Sequence, residues 1–252
     1  MSDTIPSSQP ILTPGLTEWQ RVSNTFTAPS KTFEDIAAGR RRWWLPFALM
    51  AIFSYLLFAA ITVKIGWDQV AENTMRTNAK AEERLAQAPP EQRDKIVKMT
   101  RYTMEGAFIA SPVVILIDDL VIALVLWGTI NFVFAGKATF PSVFTVSMYA
   151  FLPSTVTALL GAAVAWFAAP ESFNLANFAP TSIGAFLSPA DTNAAVYKLA
   201  SALDITSIWC MILLSIGIAA VARVKRSAGY MAVFGWWALI VLIGVGYAAI
   251  AG

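Results

Sequence analysis

Five apolar stretches run through this 252-residue chain, at residues 43–63, 107–134, 143–169, 205–222 and 230–251. A helix needs about 20 apolar residues to cross the hydrocarbon core of a bilayer, and each stretch approaches or exceeds that length. The pattern predicts an all-α, polytopic integral membrane protein with five transmembrane helices.

The polar segments between the spans carry their own signals. Residues 1–30 are rich in Ser, Thr, Pro and Gln, and Pro6, Pro10 and Pro14 forbid a long helix there. This stretch reads as a disordered cytoplasmic tail, with the membrane domain occupying residues 31–252. Residues 31–42 suit a short interfacial helix, with Phe33, Ile36 and Ala37 on one face and Arg40, Arg41 and Arg42 at the headgroups. Residues 68–106 read as an extra-membrane helical hairpin broken at Pro89-Pro90, with Pro90 opening the second helix. Glu91 with Lys95 and Asp94 with Lys98 are i,i+4 pairs of the favourable order. Between spans three and four, Asp191 is placed to cap a short helix running to Leu199. Phe173, Phe178 and Phe186 suggest that this connection lies on the membrane surface.

Composition narrows the functional classes. Charged residues make up 13% of the chain, against about 25% in a soluble domain. The net charge of +2 gives no case for nucleic-acid binding. Histidine is absent, which removes imidazole acid–base chemistry and most zinc or haem sites. The single cysteine, Cys210, allows no internal disulfide. Neither a metal nor a cofactor is expected. The first 35 residues hold no apolar h-region, so the first span is expected to act as an uncleaved signal anchor. Arg40–Arg42, Lys137, Arg223, Lys225 and Arg226 fall on one side of a five-span topology, which predicts a cytoplasmic N-terminus.

The strongest chemical anomaly is Asp118-Asp119 inside the second span. An ionised carboxylate at mid-helix costs about 2.5–3.5 kcal/mol on insertion scales. At 100° per residue Ser111, Asp118 and Thr129 lie within about 20° of one line, and Asp119 about 100° away. The two carboxylates therefore face different neighbours. They could bind an ion or ligand, or simply hydrogen-bond to other helices. Asp204, at the outer end of span four, reads as a helix cap that could also lie near Asp118. In span three, Ser147, Ala150, Ser154, Ala158, Gly161 and Ala165 form a seam of small residues that lets two backbones approach. Pro112 and Pro153 each permit a kink in their span.

Several segments together resemble the Yip-one domain family in its bacterial form. Residues 27–47, TAPSKTFEDIAAGRRRWWLPF, are similar to the amphipathic lead into that family's first span. In MYAFLPS, Tyr149 and Pro153 match its Tyr-x-x-x-Pro element. LDITSIWCMILLSIGIAAVARVKR followed by GYMAVFGWW resembles its last two spans. The resemblance implies a five-span protein of the bacterial inner membrane, without enzymatic activity, acting in membrane organisation, partner binding or a trafficking- or transport-associated role. The Asp-Leu-x-Gly-Pro element of the eukaryotic members is not matched, because Asp119-Leu120 is followed by Val121-Ile122-Ala123. That departure argues against a Rab-type GTPase as partner. The bilayer, a membrane-protein partner or a second copy of the chain are the expected contacts. The alternative is a small transporter, channel or lipid-binding protein that uses Asp118 and Asp119.

Overall fold

The computed structural model describes residues 15–77, 79–189 and 191–251. Twelve α-helices account for most of them. The five membrane-length helical stretches coincide closely with the apolar runs: α3 (Trp44–Lys64), α7 (Ser111–Phe132), the pair α8 (Phe140–Ala150) and α9 (Ser154–Phe167), α11 (Ile205–Ala222) and α12 (Arg226–Ala251). The end of the bundle where α3 starts is here the near end, and the opposite end the far end.

Pro153 divides the third span. It cannot donate a backbone hydrogen bond, and the chain between Phe151 and Pro153 closes i→i+3 turns instead, such as Leu152 N–H to the Tyr149 carbonyl at 3.2 Å. Pro112 lies in the first turn of α7, where a missing N–H is harmless.

The expectation of a disordered tail is corrected for the described part of residues 1–30. Residues 1–14 lie outside the described residues, but α1 (Glu18–Thr27) is a helix. Thr17 and Gln20 form a reciprocal capping box at its start, which satisfies two amide groups that would otherwise lack partners. After a single residue, Ala28, the chain enters α2 (Pro29–Ala37). This second helix is not an interfacial strip. Phe33 and Ile36 are fully buried against α8 and α11, because Gly217 leaves a gap on α11. A Cβ at Gly217 would stand 2.8 Å from the Phe33 ring.

The hairpin at the far end is helical as expected, in three pieces: α4 (Trp67–Arg76), α5 (Ala79–Gln87) and α6 (Pro90–Ile109). Arg101 of α6 bonds Asp68 of α4 at 2.9 Å and Glu105 at 3.3 Å, so a charged clasp holds the hairpin. The short helix expected after Asp191 begins slightly later. Asn193 is its cap, accepting from the amides of Ala195 and Val196, and the helix α10 covers Ala194–Ala202.

Two cores result. The near-end core joins α2, α7, α8, α11 and the start of α12 around Ile130, Val146, Tyr149 and Ile218. The far-end core joins α3, α4 and α9 around Ile61, Trp67, Val70 and Ala165. Of the spanning helices α11 is the most enclosed.

Candidate functional site

The two cores do not meet across the far half of the bundle. A cavity of about 900 Å³ lies between them, walled by α3, α7, α9, α11, α12 and the loop 176–182. That volume falls in the range of ligand pockets. Its walls are mostly apolar, with Leu57, Leu126, Met211, Leu214, Val233 and Trp237 among them. Val121 and Val125 of α7 and Trp236 and Ile240 of α12 line it and are also exposed on the outer surface. The cavity therefore opens sideways between α7 and α12, midway along two helices of membrane-spanning length.

Its polar groups gather toward the far end. Asp204 caps α11, its Oδ1 accepting from Ser207 N–H at 2.6 Å and from the Thr206 hydroxyl at 3.0 Å. Thr157 of α9 donates to the Thr206 hydroxyl at 2.8 Å, so the chain of hydroxyls runs between two helices. The Asp204 backbone pairs with Ser182, and Ile205 N–H bonds the Thr181 carbonyl at 2.9 Å. Asn177 accepts from Ser182 and donates to Ser201 and the Tyr197 hydroxyl, which ties the loop to α10. Partial burial works against the charge on Asp204, but hydrogen bonds from Thr181, Ser207 and Thr206 outweigh it and hold the carboxyl below its ordinary value. Among the described lining residues Asp204 is the one charged group.

The residues singled out from sequence occupy different surroundings. Asp118 is exposed on the outer face of α7, and Asp119 is 3% exposed and faces inward. Neither lines the cavity, and neither lies with Asp204 there. Both carboxylate oxygens of Asp119 lack a hydrogen-bond partner among the described residues, as does the Ser111 hydroxyl at the start of the helix. Thr129 bonds its own Val125 carbonyl at 2.8 Å and accepts from the Trp236 indole at 2.9 Å, so it joins α7 to α12.

The small-residue seam is not one continuous stripe, because Pro153 interrupts the helix that would carry it. Ser147 and Ala150 are buried in the near-end core. Ser154 and Ala158 border the cavity. Gly161 and Ala165 pack against the far-end core, where a Cβ at Gly161 would strike the Phe178 ring at 2.2 Å and Leu57 at 3.3 Å.

Tyr149 and Pro153 have distinct places. Pro153 is the break itself. Tyr149 is fully buried beneath the α1–α2 hairpin, with the Arg21 guanidinium 5.9 Å from its ring centre. Arg21 is buried too. It pairs with Asp35 at 3.0 Å and reaches the carbonyls of Arg40 and Arg42 at 3.5 and 3.4 Å. Asp35 also takes Arg40 at 2.5 Å and the Leu16 amide at 3.2 Å. Thr25 and Thr32 both donate to the Arg21 carbonyl.

Sequence reasoning missed this cluster and most of the cavity's polar wall. The capping box Thr17-x-x-Gln20 was a usable signal for the first. Thr157, Asn177, Ser182 and Thr206 come from three separate segments, and no spacing within the chain marks them as neighbours. No curated protein and no solved structure matches this sequence. The family described as the Yip1 domain matches residues 23–248, starting inside α1 and ending within α12. With that match covering nearly its whole length, the chain belongs to the Yip1-domain family of membrane proteins.

Proposed function

We propose that this protein is non-enzymatic and houses an amphipathic, lipid-like molecule between its helices, in the service of membrane organisation or transport. The cavity carries this reading. It is apolar over most of its wall, polar at one end, and lined where α7 meets α12 by residues that are also exposed on the outer face of the membrane-length helices. A lipid could enter without leaving its own phase. The polar groups there engage one another in a relay of hydroxyls ending on a capping carboxylate, which supports a binding role over a reactive one. The near end belongs in the cytoplasm of a bacterial inner membrane, since Arg40–Arg42, Lys137, Arg223, Lys225 and Arg226 sit at that end.

The test is native mass spectrometry of the full chain released from mild detergent. Retained lipid is expected in the wild type and is expected to fall sharply in Ala158→Phe, which fills the cavity from α9. Equal retention in both proteins overturns the reading.

A second reading, contact with another membrane protein or a second copy, is favoured by Asp118. Its carboxylate is exposed amid Val114, Ile117 and Val121, which are themselves exposed. A neighbour that hydrogen-bonds it would relieve the cost of leaving it in lipid. Asp118→Cys in a Cys210→Ala background should crosslink between copies if that neighbour is the same chain. The transport route through Asp118 and Asp119 has less support, because one carboxylate is exposed, the other is buried, and neither lines the cavity.

A further inference from the structure

We propose that the far end of the cavity selects a membrane lipid whose head group carries a positively charged amine, with Asp204 as its counter-ion. This rests on the lipid-binding reading above and adds the class of lipid.

Three observations carry it. First, the sign of the wall is unbalanced. Asp204 is the one charged residue among the described lining residues, none of which is a Lys or Arg. None of the ion pairs formed by the described residues involves Asp204. An anionic head group would meet this carboxylate with no cation to offset the repulsion, whereas an ammonium would supply the missing charge. The one basic side chain of α10, Lys198, packs over Gly244 of α12 and does not line the cavity.

Second, the carboxylate is held in place. Thr206 and the Ser207 amide fix one oxygen, and Thr157 fixes Thr206 from the facing helix. A charge held by neighbouring groups loses little freedom when a ligand arrives.

Third, the depth fits one leaflet. Asp204 sits at the start of α11 and the lining continues along that helix to Leu214. Ten residues at 1.5 Å per residue give about 15 Å, half of a hydrocarbon core of about 30 Å. A head group at Asp204 thus places its chains against Cys210, Met211, Leu214 and Val233, toward the bilayer centre.

The experiment titrates the detergent-solubilised full chain with phosphatidylethanolamine and with phosphatidylglycerol of identical acyl chains, read by native mass spectrometry. The phosphate is common to both lipids, so the difference reports the amine. The wild type should retain phosphatidylethanolamine in preference by roughly tenfold. Asp204→Asn should bring the ratio close to one while total lipid binding persists, because asparagine still caps a helix. A wild type that takes both lipids equally overturns the head-group inference without any variant, as does an unchanged preference in Asp204→Asn. If Ala158→Phe retains both lipids as the wild type does, the cavity reading itself fails, and the head-group inference falls with it.

Discussion

Asp118, Asp119 and Asp204 are the same side chain in three situations, and the direction each one points decides its energetics. Asp204 stands at a helix start, where amide and hydroxyl donors converge on it. Its folded pKa is lowered from the ordinary 3.8. A carboxylate of this kind contributes stability that is present above its unfolded value and lost as pH falls through the folded one. The wild type should therefore be more stable than Asp204→Asn above about pH 4, and the gap in melting temperature should close as the pH falls below that value. A gap that widens in acid would contradict the assignment. Asp119 is buried with both oxygens lacking a hydrogen-bond partner among the described residues. Replacing an unsatisfied buried group by an apolar one of similar size is neutral or stabilising. Asp119→Leu should therefore raise thermal stability, by up to about 3 kcal/mol. A loss of stability would mean that the neighbouring Ser147 hydroxyl acts as a hydrogen-bond partner to Asp119.

At the scale of elements, the spans were legible because lipid imposes a length and an apolarity that few other structures satisfy. The break at Pro89-Pro90 was legible for the same kind of reason, since proline leaves one way to restart a helix. The α1–α2 hairpin was legible only in part: the face of Phe33, Ile36 and Ala37 marked a helix over residues 31–42, but neither α1 nor the packing of the pair was foreseen. Its inner face is polar, with Arg21, Thr25, Thr32 and Asp35 all buried, and the apolar periodicity that marks a helix is weak when half the interior is ionic. The hairpin depends on that interior. Asp35→Ala would leave Arg21 charged, buried and without its carboxylate, at a cost of about 3–5 kcal/mol. Limited trypsin digestion should then cut after Arg21 and Lys31 in the variant and spare both sites in the wild type. Equal resistance would mean that the carbonyl contacts of Arg21 suffice to hold the hairpin.

At the scale of the whole molecule, the family and the five-helix bundle could be read from the chain, and the cavity could not. The first two follow from patterns that recur within one segment. The cavity exists only because the near-end and far-end cores leave space between them, and its walls come from segments as distant as Leu57 and Ile240. The spacing of Asp118 and Asp119 correctly indicated different neighbours, yet nothing in it told which of them faced the protein.

The spans are also unequally enclosed. Over its 18 residues α11 is 61% buried within the protein, whereas an apolar stretch of α12 of the same length is 6% buried. Around α11 the contacts are with atoms in fixed places: Gly217 faces Val146 and Phe33, and the Ser215 carbonyl receives Gly229 so closely that a Cβ there would lie 2.2 Å away. Most of α12 faces fluid hydrocarbon, which any apolar side chain suits. The two helices, alike in composition, should therefore tolerate substitution very differently. In a saturation mutagenesis scan read by protein abundance, α11 should demand particular residues, whereas the outward positions of α12, such as Leu239, Leu242, Ile243 and Tyr247, should accept almost any apolar residue and reject only charge.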